Sequence, residues 1–126
     1  MKSWEVAAMI ILHCLTKKKW EAVKDHLVYG EELLTRDGFI HCSSISYFWR
    51  VAPNFRDIKE DLVLLCIDLD KLNAEVKWED GSNCGREYPH VYGVINRDAI
   101  IDVLPYLRDE NGDYVRNPEF AAIENA

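Results

Sequence analysis

Three of the chain's four histidines stand in apolar, strand-like segments beside small polar or aromatic residues. The segments are Ile10-Ile11-Leu12-His13-Cys14-Leu15-Thr16, Gly38-Phe39-Ile40-His41-Cys42-Ser43-Ser44 and Tyr88-Pro89-His90-Val91-Tyr92-Gly93. An imidazole in a half-buried strand has an apolar ring body and two nitrogens that need partners. Neutral, it offers one donor and one acceptor, which suits ribose hydroxyls; protonated, it offers two donors, which suits phosphate. Three such residues in so short a chain point to a shared polar cleft. Each also has a plain structural reading. His13 can be a core histidine bonded to a backbone carbonyl, Ser43 after His41 is a good helix cap, and His90 after Pro89 can lock a turn. Three imidazoles and a water would also make a catalytic zinc site. No His-x-x-x-His spacing supports it, so a histidine-ligated metal protein is the lesser alternative and no metal ligand is assigned.

The elements that must position these residues follow from periodicity. Val6 to Leu15 is an unbroken apolar run and reads as a buried strand. Thr16 is a cap for a helix from Lys17 to Leu27, with Trp20, Val23 and Leu27 at helical spacing, and Tyr29-Gly30 breaks it. Glu31 to Arg36 reads as a connection, and Asp37-Gly38 turns into the strand Phe39 to Cys42. Ser43 or Ser44 then caps a second amphipathic helix with Ile45, Phe48, Trp49 and Ala52 on one face, ended or bent by Pro53. Leu62 to Asp68, apolar on both faces, belongs in the middle of a sheet. Asp70 to Ala74 is a helical turn, Val76 to Glu79 a half-wet strand, Gly81 to Arg86 a polar loop and Tyr88 to Ile95 a strand. Asp98 to Tyr106 is ambiguous and can be a helical turn followed by a strand, because Ile100, Ile101, Val103 and Leu104 suit either. Asp109 to Asp113 is a hairpin turn before an edge piece at Tyr114-Val115. Trp20, Trp49 and Trp78 are expected in the core, and His26 on a helix end. Helices early and several strands later make an α+β protein with a mostly antiparallel sheet. No Gly-rich loop follows a strand, which argues against a Rossmann or P-loop nucleotide site.

Composition agrees with an ordinary globular chain. At 126 residues, 48% hydrophobic and 11% aromatic, residues 1–126 are expected to form one domain with its own core. The net charge of −7 disfavours binding to long nucleic acid, and the run Lys17-Lys18-Lys19 reads as a solvated helical turn. Cys14, Cys42, Cys66 and Cys84 show no paired short spacing, and the start of the chain shows neither a signal peptide nor a membrane span. A reduced, cytoplasmic protein is expected, with Cys84 alone exposed.

The series His13-Cys14-Leu15-Thr16, Trp20, Gly38-Phe39-Ile40-His41-Cys42-Ser43, Leu62 to Asp68, Glu79 and Pro89-His90-Val91-Tyr92-Gly93 resembles the bacterial family called domain of unknown function 952, from about residue 10 to residue 115. That family is similar to the ADP-ribosyltransferase-like superfamily, which includes RNA 2′-phosphotransferases. There a first strand ends in His-Gly-Thr, which His13-Cys14-Leu15-Thr16 resembles with Cys14-Leu15 in place of the glycine. The next strand carries His-Val-His-Leu-Ser, matched in its last three positions by His41-Cys42-Ser43, while Phe39 stands where the first histidine would be. The superfamily's basic residues for RNA phosphate have no clear match.

The resemblance implies a split, mostly antiparallel sheet with two early helices, and NAD as a substrate lying in the split. It implies that His13 bonds the adenosine ribose or phosphate and that His41 with Ser43 lies under the nicotinamide ribose. Glu79 becomes the candidate catalytic carboxylate beside His41, although an edge-strand glutamate in water is an equally good reading. Ligand contacts extend to Thr16, His90 and Tyr92. The implied function is transfer or hydrolysis of ADP-ribose from NAD, with a small-molecule nucleotide as partner. A non-catalytic nucleotide or ADP-ribose sensor and an RNA 2′-phosphotransferase-like enzyme stay open.

Overall fold

The buried run Leu62–Asp68 explains the architecture. In the computed structural model, which describes residues 9–81 and 83–121, this strand (β5) is buried at every position. It lies inside a four-stranded sheet of order β4-β1-β5-β9, with β1 at Ile10–Thr16, β4 at Ser43–Ser44 and β9 at Ile100–Pro105. Side chains alternate across a strand, so β1 and β5 feed two cores. Ile11, Leu15, Val63, Leu65 and Ile67 enter one, while Ile10, Leu12, Leu62, Leu64 and Cys66 enter the other. The β1–β5 ladder is antiparallel and unbroken from Ile10↔Asp68 to Thr16↔Leu62, whereas the β5–β9 register shifts between Cys66 and Ile67.

A second sheet has the order β3-β7-β6, with β3 at Ile40–His41, β6 at Val76–Glu79 and β7 at Tyr88–Val91. Two short pairs complete the set: β2 (Val28–Tyr29) with β8 (Ile95–Asn96), and β10 (Leu107–Arg108) with β11 (Tyr114–Val115). All of these pairings are antiparallel, and the protein is α+β.

The step from β3 to β4 matters most for the site. One buried residue, Cys42, separates them; its N–H donates to the Pro89 carbonyl at 3.1 Å. Before it the chain pairs with β7, through Ile40↔Val91 and His41↔His90. After it the chain pairs with β1, through Leu12↔Ser43 and Ile11↔Ser44. The chain thus changes sheets at Cys42, and β4 covers only two residues of β1. His13 to Thr16 have no strand partner on that side among the described residues, and a cleft opens there.

Several expectations are corrected. The first helix (α1) is Lys17–Val23, capped by Thr16, whose Oγ1 accepts from the Lys19 N–H at 3.1 Å. It stops short of Leu27, which is 85% exposed. Tertiary pairing wins over periodicity here: the Leu27 carbonyl accepts from the Arg97 N–H and Val28 pairs with Asn96. Glu31–Asp37 is a helix (α2), not a connection, with Glu31 and Glu32 in its first turn and Gly38 closing it in a left-handed conformation. The second expected helix is a single turn, Phe48–Val51 (α3), running into a 3-10 turn at Ala52–Phe55 that holds Pro53. Its approach is capped by Ser44, whose Oγ accepts from the Tyr47 N–H. The strand expected over Tyr88 to Ile95 breaks into β7 and β8, because the Tyr92 N–H turns to the Glu75 carbonyl. Residues 98–106 resolve as a turn followed by a strand, a 3-10 turn at Arg97–Ala99 and then β9. Trp20 is buried, but Trp49 and Trp78 are 45% and 37% exposed. The first strand's expected residues 6–8 lie outside the described residues.

Gly30 fixes the approach of α2 to the site. It sits at φ 109°, and a Cβ there would lie 2.3 Å from Ile40 Cδ1, next to His41. Gly30→Ala should destabilise the protein by about 1–2 kcal/mol, since a left-handed position and a close contact are both violated. Urea denaturation measures it; an unchanged midpoint would show that the chain relaxes freely there.

Candidate functional site

The cleft at the split has a volume of about 820 Å³. His13, Thr16 and Ser43 line it from the four-stranded sheet, and His41, Tyr88 and His90 from the three-stranded one. Lys19, Tyr29, Arg36, Asp37 and Asn54 add polar groups to it, while Leu12, Phe39, Phe48, Val51, Phe55, Ile58 and Leu62 are among its apolar lining.

His13 is a strut across the split. Its Nδ1 lies 2.7 Å from the His41 carbonyl and its Nε2 3.0 Å from Tyr29 Oη. A carbonyl only accepts, so Nδ1 carries the proton and Nε2 accepts from the tyrosine. Burial pushes the His13 pKa down to about 4 and keeps the ring neutral. Both nitrogens are engaged, which corrects the expectation that they bond a ribose or phosphate. Tyr29, read from the sequence only as a helix breaker, is the hydroxyl beside it in the cleft wall. Ser43 is also turned inward: it is buried, and its Oγ donates to the Ser44 carbonyl at 2.8 Å. Thr16 lines the cleft while its Oγ1 caps α1.

His41 and His90 are direct partners in the β3–β7 register, with ring centroids 5.5 Å apart and near edge-on at 72°. Phe39 stacks on His90 at 4.1 Å and fixes the plane of that ring. His90 Nδ1 lies 2.8 Å from Glu79 Oε1, which also accepts from Tyr92 Oη at 2.6 Å. These two hydrogen bonds, the tyrosine's first, hold the Glu79 carboxyl below the usual carboxylate range. An ionised carboxylate only accepts, so Nδ1 carries the His90 proton. Nε2 is then left without a hydrogen-bond partner among the described residues. The Glu79 carboxylate thereby fixes the tautomer and orientation of the His90 ring.

His41 is more open, with its side chain 62% exposed and Nε2 3.6 Å from Asp37 Oδ2. Asp37 is itself tied to Arg36 at 2.7 Å. Partial desolvation lowers the His41 pKa, with His90 adding to the effect and Asp37 opposing it. A neutral imidazole at neutral pH is able to take a proton from a hydroxyl or water.

Sequence reading joined His13, Thr16, His41, Ser43, Glu79, His90 and Tyr92 in one site, and five of these seven line the cleft. Glu79 and Tyr92 stand outside the wall and meet the cleft through His90. Glu79, expected as a catalytic carboxylate, thus reaches the cleft only through its hydrogen bond to His90. Lys19, Tyr29, Arg36, Asp37 and Tyr88 were missed as site residues. Lys19 comes from α1, Tyr29 from β2, Arg36 and Asp37 from α2 and Tyr88 from the start of β7, and nothing local in the sequence marks them as sharing one cleft.

Among the described residues no group of three or more His, Cys, Asp or Glu is placed to hold a metal ion. Burial pushes the Cys14 thiol up to about 12 and the Cys42 thiol higher still, so neither supplies a thiolate near neutral pH. Cys84 is exposed, as expected. Among the described residues no helix is long and apolar enough to cross a membrane.

The fold has solved counterparts. A crystal structure of protein CC0527 from Caulobacter crescentus is 26% identical, with a TM-score of 0.72 over 84% of this chain and 93% of that one. The solution NMR structure of CC0527 gives 27% identity and a TM-score of 0.66, covering 82% of this chain and 89% of that one. No curated protein matches the chain. The model of one family of unknown function, DUF952, matches residues 14–103, within the 10–115 span on which the motifs lie, and the chain belongs to that family.

Proposed function

We propose that the cleft binds NAD in the manner of the ADP-ribosyltransferase-like superfamily and that His41 helps transfer its ADP-ribose to water or an acceptor hydroxyl. The observation that carries this reading is the change of sheet at Cys42. It opens one cleft between two half-sheets, with imidazole, hydroxyl and basic groups on its walls. A volume of about 820 Å³ falls within the usual range for small-molecule and cofactor sites. Thr16, Tyr29 and His41 suit ribose hydroxyls, and Lys19 and Arg36 supply positive charge for a diphosphate in a chain whose net charge is −7. Tyr88 adds an aromatic surface for a flat ring. His41, depressed below its ordinary pKa, would accept the proton of the incoming oxygen as the C1′–nicotinamide bond breaks.

One observation favours a second reading, a nucleotide or ADP-ribose sensor. Glu79 lies outside the cleft wall with its charge met by His90 and Tyr92, and Asp37, the carboxylate in the wall, is held by Arg36. No carboxylate is then free to stabilise an oxocarbenium-like centre among the residues that line the cleft.

Calorimetry with NAD, ADP-ribose and a short RNA, followed by product analysis with labelled NAD, tests these readings. Heat from NAD with release of nicotinamide supports the enzyme, and heat without product supports the sensor. Tight, salt-sensitive RNA binding with no heat from either nucleotide would overturn both and favour an RNA 2′-phosphotransferase-like activity.

A further inference from the structure

We infer that His41 and His90 form an acid–base pair that hydrolyses a small ribose cyclic phosphodiester, an activity that needs no NAD. The argument begins with a group that ADP-ribosyl transfer leaves idle. Nicotinamide departs from NAD as a neutral pyridine and needs no proton, so that reaction uses one proton acceptor and no donor. The cleft wall holds two imidazoles, and the second is the more elaborately positioned. His90 is stacked by Phe39 at 4.1 Å, bonded through Nδ1 to Glu79 at 2.8 Å, and left with Nε2 unpartnered among the described residues. Tyr92 fixes the Glu79 oxygen that holds it.

Displacement at phosphorus uses both rings. The incoming oxygen must lose a proton and the leaving alkoxide must gain one, on opposite sides of the phosphorus. Each transfer needs a nitrogen within about 2.6–3.2 Å of its oxygen. Ring centroids 5.5 Å apart and near edge-on set the two imidazoles next to each other on one wall of the cleft, so that one tetrahedral group seated against that wall meets both. In the step, a water oxygen forms a bond to phosphorus while His41 takes its proton. The P–O bond to the ribose oxygen breaks, and His90, entering the step doubly protonated with its Nδ1 proton on Glu79, gives that oxygen its Nε2 proton. A phosphomonoester with a free hydroxyl results, and solvent returns the protons to their starting places. His41 suits the base role because its pKa is depressed. His90 suits the acid role because the Glu79 carboxylate engages Nδ1 and leaves Nε2 as the nitrogen open to the substrate.

The charge pattern selects the substrate class. Lys19 and Arg36 line the same cleft and can meet the single negative charge of a cyclic phosphodiester. A long polyanion would face the net charge of −7. A five-membered ring on a ribose also brings ring strain, which lowers the demand on two imidazoles acting without a metal.

The full chain, incubated with 2′,3′-cyclic AMP and a chelator, should convert it to the monoester, followed by phosphorus NMR. His41→Asn should lower the rate at least ~100-fold with the fold intact, because general acid–base partners contribute about 10²–10⁴-fold. His90→Asn should do the same. Its ring is buried, so circular dichroism accompanies the assay, and if that variant unfolds the exposed His41 alone decides. A ring that stays closed, or one opened equally fast by the wild type and His41→Asn, overturns the inference. Neither outcome touches the NAD reading, which the calorimetry tests on its own.

Discussion

Lowering the pH from 6.5 to 4 should remove about 3 kcal/mol of folding stability through His13 alone, since each pKa unit of difference between native and unfolded states corresponds to ~1.4 kcal/mol. The native pKa is about 4 against an ordinary value of 6.5, and burial is the main cause. The unfolded chain therefore binds the extra proton first. Above pH 6.5 both states carry a neutral ring and nothing is lost. Between the two values the unfolded state holds more protons, so stability falls as pH falls, and below about 4 the loss is complete. The neutral ring is also the one whose Nε2 accepts from Tyr29, so protonation breaks the strut as well as charging a buried site. Urea denaturation across this window, in the wild type and in His13→Gln, isolates the effect. Glu79, Asp37 and Asp80 have lowered carboxyl pKa values, and His41 is lowered too; all of them weaken the acid-exposed fold in the same direction in both proteins. The wild type should show a steeper slope between pH 6.5 and 4. Parallel curves would mean that His13 is not neutral and buried in the folded state.

The sequence made the strands legible wherever burial was one-dimensional. Leu62 to Asp68 had no polar residue before its end, and such a run has nowhere to go except the middle of a sheet. The cap at Thr16 and the turn at residues 109–113 were equally plain, because a hydroxyl before a helix and an Asp-Asn-Gly cluster act locally. Where tertiary pairing decides, the signal vanished. Leu27 keeps helical spacing, but pairing of Val28 with Asn96 pulls the chain out of the helix first. The apolar face of Ile45, Phe48, Trp49 and Ala52 proposed a long helix, yet Trp49 is exposed and α3 is one turn.

The site divides in the same way. His13 and His41 could be placed near one another from their strands, and both do line one cleft. Their roles could not be told apart, because what separates them is hydrogen bonding to distant residues. His13 is occupied by the His41 carbonyl and by Tyr29, across 28 and 16 residues of chain. Glu79 looked like a free acid on a wet strand, and its partners, His90 and Tyr92, come from the neighbouring strand. Residue type named the candidate groups; register divided them into a strut, an exposed imidazole and an imidazole backed by a carboxylate.

That division predicts opposite consequences for two substitutions of the same kind of residue, and His41→Ala is the more telling one. Its side chain is 62% exposed, and the bond that β3 makes to His13 comes from the His41 backbone carbonyl, which alanine keeps. Stability should therefore change by no more than about 0.5 kcal/mol, as for surface substitutions that break no buried contact. The side-chain nitrogens face the cleft, where the proposed NAD or ADP-ribose would accept from or donate to them. Losing a hydrogen bond to a charged ligand group costs about 1.5–3 kcal/mol, a roughly tenfold to hundredfold weaker Kd. The expected result is a melting temperature near that of the wild type, with calorimetric affinity for NAD and ADP-ribose weakened by that factor. His13→Ala should show the reverse order: a large fall in melting temperature, because the Tyr29 hydroxyl and the His41 carbonyl lose their partner inside the protein. If His41→Ala melts far below the wild type and still binds both nucleotides as tightly, His41 is a structural residue and the cleft's chemistry must be sought at Tyr29, Arg36 and His90 instead.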